Sequence, residues 1–281
     1  MRALPYVLVD VFTDRPLTGN PLAVFTDARD LDADTMQALA RELNLSETTF
    51  VLPPEHGGTA RVRIFTPRAE IPFAGHPTLG TALVLARTPS SDHVTLELEV
   101  GTVPVVLEHH DGAAARGWFT RPAPRPLPFD DTEALLEGLD IDHTASPVVV
   151  YDNGVRHAVV HLGTAAELAE LRPDLHHLAA IPVDTIDVCV LEDGGATLRV
   201  FAPAHGIPED PATGSAAAPV FCHLVEFAGH DPARVLAIRQ GHALHRPSRI
   251  EVRRGSDGSA IEVGGSGVVV ARGEFTLASG V

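Results

Sequence analysis

The sequence predicts an α+β protein of two similar halves, each wrapping its strands around one central helix. Three observations carry that prediction. RIFTPRAEIP (63–72) returns as RVFAPAHGIP (199–208), an offset of 199 − 63 = 136, close to half of the 281 residues. Arg63/Arg199, Phe65/Phe201, Pro67/Pro203 and the pairs Ile71-Pro72/Ile207-Pro208 are identical between the copies. A period this long is not a solenoid repeat, whose units are roughly 20–50 residues. Next, each copy runs through a glycine-containing turn into a stretch that is apolar or small all round, 77–86 and 215–226. A helix apolar on every side is buried. Finally, strand-like runs recur at regular spacing with few helices between them, which argues against a doubly wound parallel sheet.

The elements follow in order. YVLVDVF (6–12) reads as a strand, Gly19-Asn20-Pro21 as a turn, and LAVF (22–25) as strand again. DTMQALAREL (34–43) is an amphipathic helix with Asp34 as its N-cap, Met36, Leu39, Ala40 and Leu43 on one face, and Asn44 at its end. TTFVL (48–52) and RVRIF (61–65) are strands. Pro77 suits the first turn of the buried helix. VTLELEV (94–100) and VPVVLEH (103–109) form a hairpin around Gly101. The strand WFTR (118–121) leads into PAPRPLPFD (122–130), the best linker. Beyond it come helices at 132–139 and 164–171, strands at 147–152 and 156–162, and the repeated strand pair. RIEVRR (249–254), AIEVGG (260–265) and GVVVARGEFTL (267–277) close the chain as strands.

Composition narrows the function. The net charge is −16, from 37 acidic and 21 basic residues, and such a surface repels nucleic acid phosphates. All 21 basic residues are arginine. Without lysine there is no Schiff base to a carbonyl substrate or to pyridoxal phosphate, and no standard P-loop. No run approaches the roughly 18 charge-free apolar residues of a membrane helix, and the N-terminus lacks the pattern of a secretory leader. Cys189 and Cys222 make no disulfide framework and read as buried thiols in apolar surroundings. A cytoplasmic protein without nucleic acid or membrane partners is expected. The histidines lack the companions and spacing of a metal site, so no metal is expected.

Three segments can carry chemistry: NLSETTF (44–50), FAGHPTLG (73–80) and GIPEDPATGSAA (206–217). Glu47 sits at a helix-to-strand junction, where a carboxyl shielded from water can serve as general acid and base. Alone it would read as a solvated surface glutamate. Gly75-His76 and Gly214-Ser215 hold matching places before the two buried helices. Helix N-termini present unpaired N–H groups and hold anions, so two such ends can grip a carboxylate. The plain alternative is that Ser215 caps its helix and the glycines make turns. Asp210 is either an acid favoured by the helix dipole or a second carboxylate acting with Glu47. Two similar halves also have a natural cleft between them, and such clefts are preferred ligand sites.

At these residues the chain resembles the PhzF family, the phenazine-biosynthesis-type isomerases of the diaminopimelate-epimerase-like superfamily. The matching stretches are VDVFTDRPLTGNPLAVF (9–25), ARELNLSETTFV (40–51), RIFTPRAEIPFAGHPTLGTA (63–82), DNGVRHAVV (152–160), RVFAPAHGIPEDPATGSAA (199–217) and QGHALHRPS (240–248). The resemblance implies two pseudo-twofold-related domains, each a mostly antiparallel barrel-like sheet around a central helix. Residues 1–121 with 268–281 would form one and 122–267 the other. It implies an active site between them, a homodimer and no cofactor. It places the catalytic glutamate on Glu47, its supporting residues on His76 and Asp210, and the anion-binding turn on Gly214 and Ser215. Gly75, Ser46 and Asn20 complete the expected substrate-binding set. Related epimerases use two cysteines, one before each glycine. Here those places hold Ala74 and Thr213, so a two-thiol racemase mechanism is not available. The expected function is therefore a cofactor-independent isomerase that shifts a proton on a small cyclic carboxylic acid. A non-catalytic binder of small acids on the same fold, or an epimerase or lyase on another small acid, stays open.

Overall fold

A computed structural model describes residues 2–86, 92–110, 113–256 and 258–277. The chain divides into two compact units, Met1–Thr120 with Gly264–Val281, and Arg121–Val263. Residues 278–281 of the returning segment lie outside the described residues.

The first unit holds β1 (Arg2–Val11), β2 (Asn20–Phe25), α1 (Ala33–Leu43), β3 (Glu47–Leu52), β4 (Ala60–Phe65), β5 (Glu70–Ile71), α2 (Gly75–Leu85), β6 (His93–Leu98), β7 (Gly101–His110) and most of β8 (Ala113–Pro122). β1 pairs antiparallel with β2, β3 with β4, β4 with β5, β6 with β7, and β7 with β8. β2·β3 and β4·β6 are parallel. A long C-terminal strand pairs with both β1 and β8 and closes the mixed sheet.

Helix α2 fills that sheet. Its residues from Gly75 to Val84 are all buried, as its unbroken apolar surface requires. A Cβ on Gly80 would come within 2.7 Å of Leu22 and Val11, so glycine lets the helix lie against β1 and β2. Strand alternation sorts the side chains of β3. Thr49 meets Thr81 of α2 across a 2.9 Å hydrogen bond, so Glu47 and Thr49 face the inner helix. Phe50 packs the other way, with Leu4, Phe25, Met36, Leu39 and Phe65 beneath α1.

The second unit holds β9 (Arg125–Leu127), α3 (Thr132–Leu139), β10 (Val149–Asp152), β11 (Arg156–His161), α4 (Ala165–Glu170), α5 (Leu175–Leu178), β12 (Thr185–Glu192), β13 (Gly195–Ala202), β14 (Ile207–Asp210), α6 (Gly214–Phe227), β15 (Leu236–Gln240) and β16 (Ser248–Arg254). β17 (Ala260–Leu277) starts here and is the strand that closes the first unit. β11·β12 and β13·β15 are parallel. β9·β10, β10·β11, β12·β13, β13·β14 and β15·β16 are antiparallel. Helix α6 is the buried one, while α3, α4 and α5 cover an outer core of Leu135, Leu139, Leu168, Leu178, Ile186, Val188 and Phe201.

Several local expectations change. Asp32, not Asp34, caps α1, its Oδ1 accepting the Thr35 N–H at 2.8 Å. Asp34 lies in the first turn, where the helix dipole favours it. Asn44 ends α1 in the left-handed conformation, as expected. The Pro-rich stretch 122–130 contains β9, an edge strand that tolerates proline because an edge N–H needs no partner. The two expected strands at 260–265 and 267–277 are one strand. Gly264 does not break it but makes room for Trp118, whose ring a Cβ would meet at 2.4 Å. Cys189 is buried and its thiol is pushed up by burial; Cys222 is only half-buried.

Candidate active site

In the first unit, three elements bring Asn20, Glu47 and His76 together. Glu47 opens β3 opposite Leu22 of β2. His76 is the second residue of α2, and Asn20 is the first residue of β2. The Glu47 Oε2 lies 3.4 Å from His76 Nε2, and Glu47 is 8% exposed. The Asn20 Nδ2 lies 3.2 Å from His76 Nδ1, with Asn20 wholly buried. An amide nitrogen only donates, so with the amide in this orientation Nδ1 accepts and the ring proton sits on Nε2, toward Glu47. Burial lowers the His76 pKa to about 3, which keeps the ring neutral near pH 7. The ring is thus an N–H donor beside a carboxylate rather than a second charge. Ser46 is half-buried and precedes Glu47; Gly75 is buried and precedes His76.

The turn that delivers Asn20 is tightly held. Asp10 Oδ2 accepts the Leu17 N–H at 2.7 Å, and Thr13 Oγ1 lies 2.5 Å from Thr18 Oγ1. Gly19 has φ +66°, and a Cβ there would meet the Val11 carbonyl at 2.3 Å. This is the physical content of the VDVFTDRPLTGNP stretch.

In the second unit, the end of β14, the turn after it and the start of α6 carry Asp210, Thr213, Gly214 and Ser215, all buried. Thr213 Oγ1 donates to Asp210 Oδ2 at 2.5 Å. Gln240, at the end of β15, accepts from Thr213 N–H at 2.9 Å and donates to the Asp210 carbonyl at 2.8 Å. Ser248 Oγ lies 3.1 Å from the Pro211 carbonyl. Asn153, in the β10–β11 turn, donates its amide to the Ser215 carbonyl at 2.8 Å. Glu209 points elsewhere and forms a two-pronged pair with Arg199.

Both buried helices start without a side-chain cap. The N-cap of α2 is Ala74 and that of α6 is Thr213, and neither side chain bonds its own helix. Ser215 is the second helical residue, so capping does not explain it. Such uncapped first turns leave N–H groups of Gly75 and His76, and of Gly214 and Ser215, without partners inside the helix, the form of an anion cradle. Sequence reading missed Gln240, Ser248 and Asn153 as site residues. Only their membership in the family-like stretches 240–248 and 152–160 pointed to them.

The family profile described as phenazine biosynthesis-like protein, PhzC-PhzF, matches residues 9–273. A trans-2,3-dihydro-3-hydroxyanthranilate isomerase from Pseudomonas aeruginosa is 43% identical over 279 residues, covering 97% of this chain and 99% of that protein. Its counterpart of the same name from Pseudomonas chlororaphis is 40% identical over 275 residues, covering 97% and 99%. Among solved structures, a protein described as a predicted epimerase from Pseudomonas aeruginosa matches with a TM-score of 0.85 and 33% identity, over 98% of this chain and all of that one. A probable proline racemase from Agrobacterium radiobacter, solved with bound carbonate, matches with a TM-score of 0.68 at 15% identity, over 98% and 93%. That last likeness is one of fold alone. The chain belongs to the PhzC-PhzF family of phenazine biosynthesis-like proteins.

Proposed function

We propose that this protein is a cofactor-independent isomerase of trans-2,3-dihydro-3-hydroxyanthranilate or a closely similar cyclic hydroxy acid, with Glu47 as its general acid and base. Glu47 takes a proton from one ring carbon, the double bonds shift, and Glu47, its proton exchanged with solvent, returns a proton to another carbon. No oxidant, reductant or leaving group is needed. His76 donates its Nε2–H to the substrate or to the Glu47 carboxylate and stays neutral throughout. Asp210 orients the substrate and assists the proton's return. The N–H groups of Gly75/His76 and Gly214/Ser215 hold the substrate carboxylate, and Ser46 and Asn20 complete the binding set. The working form is a cytoplasmic homodimer.

One observation carries this reading: a nearly buried carboxylate, Glu47, set 3.4 Å from a histidine that burial keeps neutral and that an asparagine orients. Near-complete burial is costly for a carboxylate unless the site uses it. A thiol mechanism of the racemase kind has no residues here, since Ala74 and Thr213 precede the two glycines.

The test is solvent deuterium incorporation. Incubated in D2O with trans-2,3-dihydro-3-hydroxyanthranilate, the protein yields the isomer with deuterium at the newly protonated carbon. Glu47→Gln keeps the fold and the hydrogen-bonding shape and loses turnover by about 10²–10⁴-fold, the usual worth of one positioned acid/base. Undiminished turnover in Glu47→Gln overturns the assignment. Turnover in neither protein leaves a small-acid binder as the reading, to be checked by calorimetric binding of the same acid.

A further inference from the structure

The Asp210 carboxylate is held by a one-way chain of hydrogen bonds that begins at Gln240. The direction of that chain follows from partners that can act in only one sense. The Thr213 N–H can only donate, so the Gln240 oxygen that meets it at 2.9 Å is Oε1. The Asp210 carbonyl can only accept, so the Gln240 atom that meets it at 2.8 Å is Nε2. The amide orientation is therefore fixed twice over. Nε2 has a second hydrogen, and it reaches Thr213 Oγ1 at 3.0 Å. Having accepted there, the Thr213 hydroxyl directs its own hydrogen to Asp210 Oδ2 at 2.5 Å, the short range of a bond to a charged acceptor.

All three side chains are buried, with Gln240 wholly so. The rest of the QGHALHRPS stretch serves the same turn. Ser248 Oγ lies 3.1 Å from the Pro211 carbonyl and 3.2 Å from that of Gln240. Gly241, at φ +78°, lets the chain pass where a Cβ would meet the Pro211 carbonyl at 2.5 Å. In the first unit, Ala74 stands where Thr213 stands here and has no hydroxyl to give.

We infer that Thr213 and Gln240 are positioning residues for the reaction: they orient the Asp210 carboxylate and keep its Oδ2 engaged as an acceptor while substrate is turned over. The place before Gly214, which thiol epimerases give to a cysteine, is used here to steer a carboxylate. This inference rests on the role of Asp210 in the proposed function.

Thr213→Val removes the hydroxyl without changing the shape of the side chain. Losing a hydrogen bond to a charged group lowers kcat by about 10–100-fold. KM stays within about threefold; the thermal midpoint falls, because Gln240 Nε2–H and the Asp210 carboxylate each lose a buried partner, so kcat is read on the folded protein well below the midpoint. Thr213→Ser restores kcat to within about threefold, since the donor is back. In the double variant Thr213→Val/Gln240→Leu, kcat falls no further than in the worse single variant, as a shared chain requires. Three results overturn the inference: unchanged kcat in Thr213→Val, a loss that Thr213→Ser does not restore, or a loss confined to KM or to the thermal midpoint. Asp210→Asn separates this inference from the reading beneath it. If Asp210→Asn turns over normally, the role given to Asp210 falls. If Asp210→Asn is impaired while Thr213→Val is not, only the chain falls.

Discussion

The two units share a strand scheme and differ in what they place on it. In the first, β3 pairs antiparallel with β4 and parallel with β2, and β4 pairs parallel with β6. In the second, β12 pairs antiparallel with β13 and parallel with β11, and β13 pairs parallel with β15. Thr48 stands opposite Phe65, and Ile186 stands opposite Phe201. Aligning the two phenylalanines sets Glu47 against Thr185 and Thr49 against Asp187. The residues that repeat in the sequence turn out to be braces. Arg63 makes a two-pronged pair with Glu70 and lies 5.1 Å from the Phe65 ring. Arg199 does the same with Glu209, 5.0 Å from the Phe201 ring. The residues proposed to move or direct protons do not repeat: Glu47 stands against Thr185, His76 against Ser215, and Thr213 against Ala74, whereas Gly75 and Gly214, proposed to hold the substrate, do repeat.

The sharpest break in that comparison is at the Glu47/Thr185 pair. Thr185 Oγ1 lies 2.7 Å from His157 Nδ1, and Asp187 Oδ2 lies 2.8 Å from the same nitrogen, with His157 and Asp187 fully buried. The second unit thus fills the matching interior with a buried polar cluster, where the first has Thr49 on Thr81. Glu47→Thr, which makes the first unit imitate the second, should fold and lose about 10²–10⁴ in turnover. Asp187→Ala should do the reverse. It removes one of the two partners of the buried His157 Nδ1 and costs about 1–3 kcal/mol in chemical denaturation, while kcat of the folded fraction holds. An Asp187→Ala variant that kept its stability would remove the structural assignment of that cluster.

The braces themselves should differ. Arg199 and Glu209 are the more buried pair, with side chains 14% and 11% exposed against 21% and 34% for Arg63 and Glu70. Arg199 also donates to the Leu168 and Leu171 carbonyls. Arg199→Met should cost about 2–3 kcal/mol, because three acceptors lose a charged donor. Arg63→Met should cost about 1 kcal/mol or less. Equal losses from urea melts would mean that burial does not separate the two braces.

Each unit also buries a histidine that burial holds neutral: His76, with its pKa lowered to about 3, and His223, lowered to about 4; burial lowers the His161 pKa in the second unit as well. His223 Nε2 lies 2.8 Å from Ser146 Oγ, whereas His76 belongs to the site proposed above. Both folded pKa values lie below the ordinary 6.5, so the unfolded chain takes up these protons first. Their stabilising effect is complete above about pH 6.5 and is lost as the pH falls toward each folded value. His76→Gln and His223→Gln should each reduce the slope of stability against pH below 6.5 by up to about 1.4 kcal/mol per pH unit. For His223→Gln that difference should fade near pH 4, and for His76→Gln near pH 3. Slopes unchanged from the unaltered protein would mean that neither ring stays neutral on folding.

What could be read from the sequence was whatever is local or repeated. The two buried helices announce themselves by lacking any polar face, and the short helix expected at 132–139 is α3. His76, Asp210 and Ser215 stand out because they adjoin the repeated segments, and Glu47 because it lies at a helix-to-strand junction and falls on the glutamate of the family the chain resembles. The supports did not stand out. Gln240 reaches back 27 and 30 residues to Thr213 and Asp210, and Asn153 reaches forward 62 to Ser215. No local period encodes such pairs. Asp32 and Asp34 flank the first residue of α1, and only geometry chooses the cap. The Pro-rich β9 and the one-turn α5 are too short for periodicity to register.

A crystal structure with a non-isomerising analogue of the cyclic hydroxy acid tests the central claim most directly. The account predicts a Glu47 carboxylate oxygen about 3–3.5 Å from a ring carbon, the reach needed for proton transfer. It also predicts the analogue's carboxylate on N–H groups of Gly75/His76 or Gly214/Ser215. An analogue bound away from Glu47, with those N–H groups closed off by other protein atoms, would contradict it.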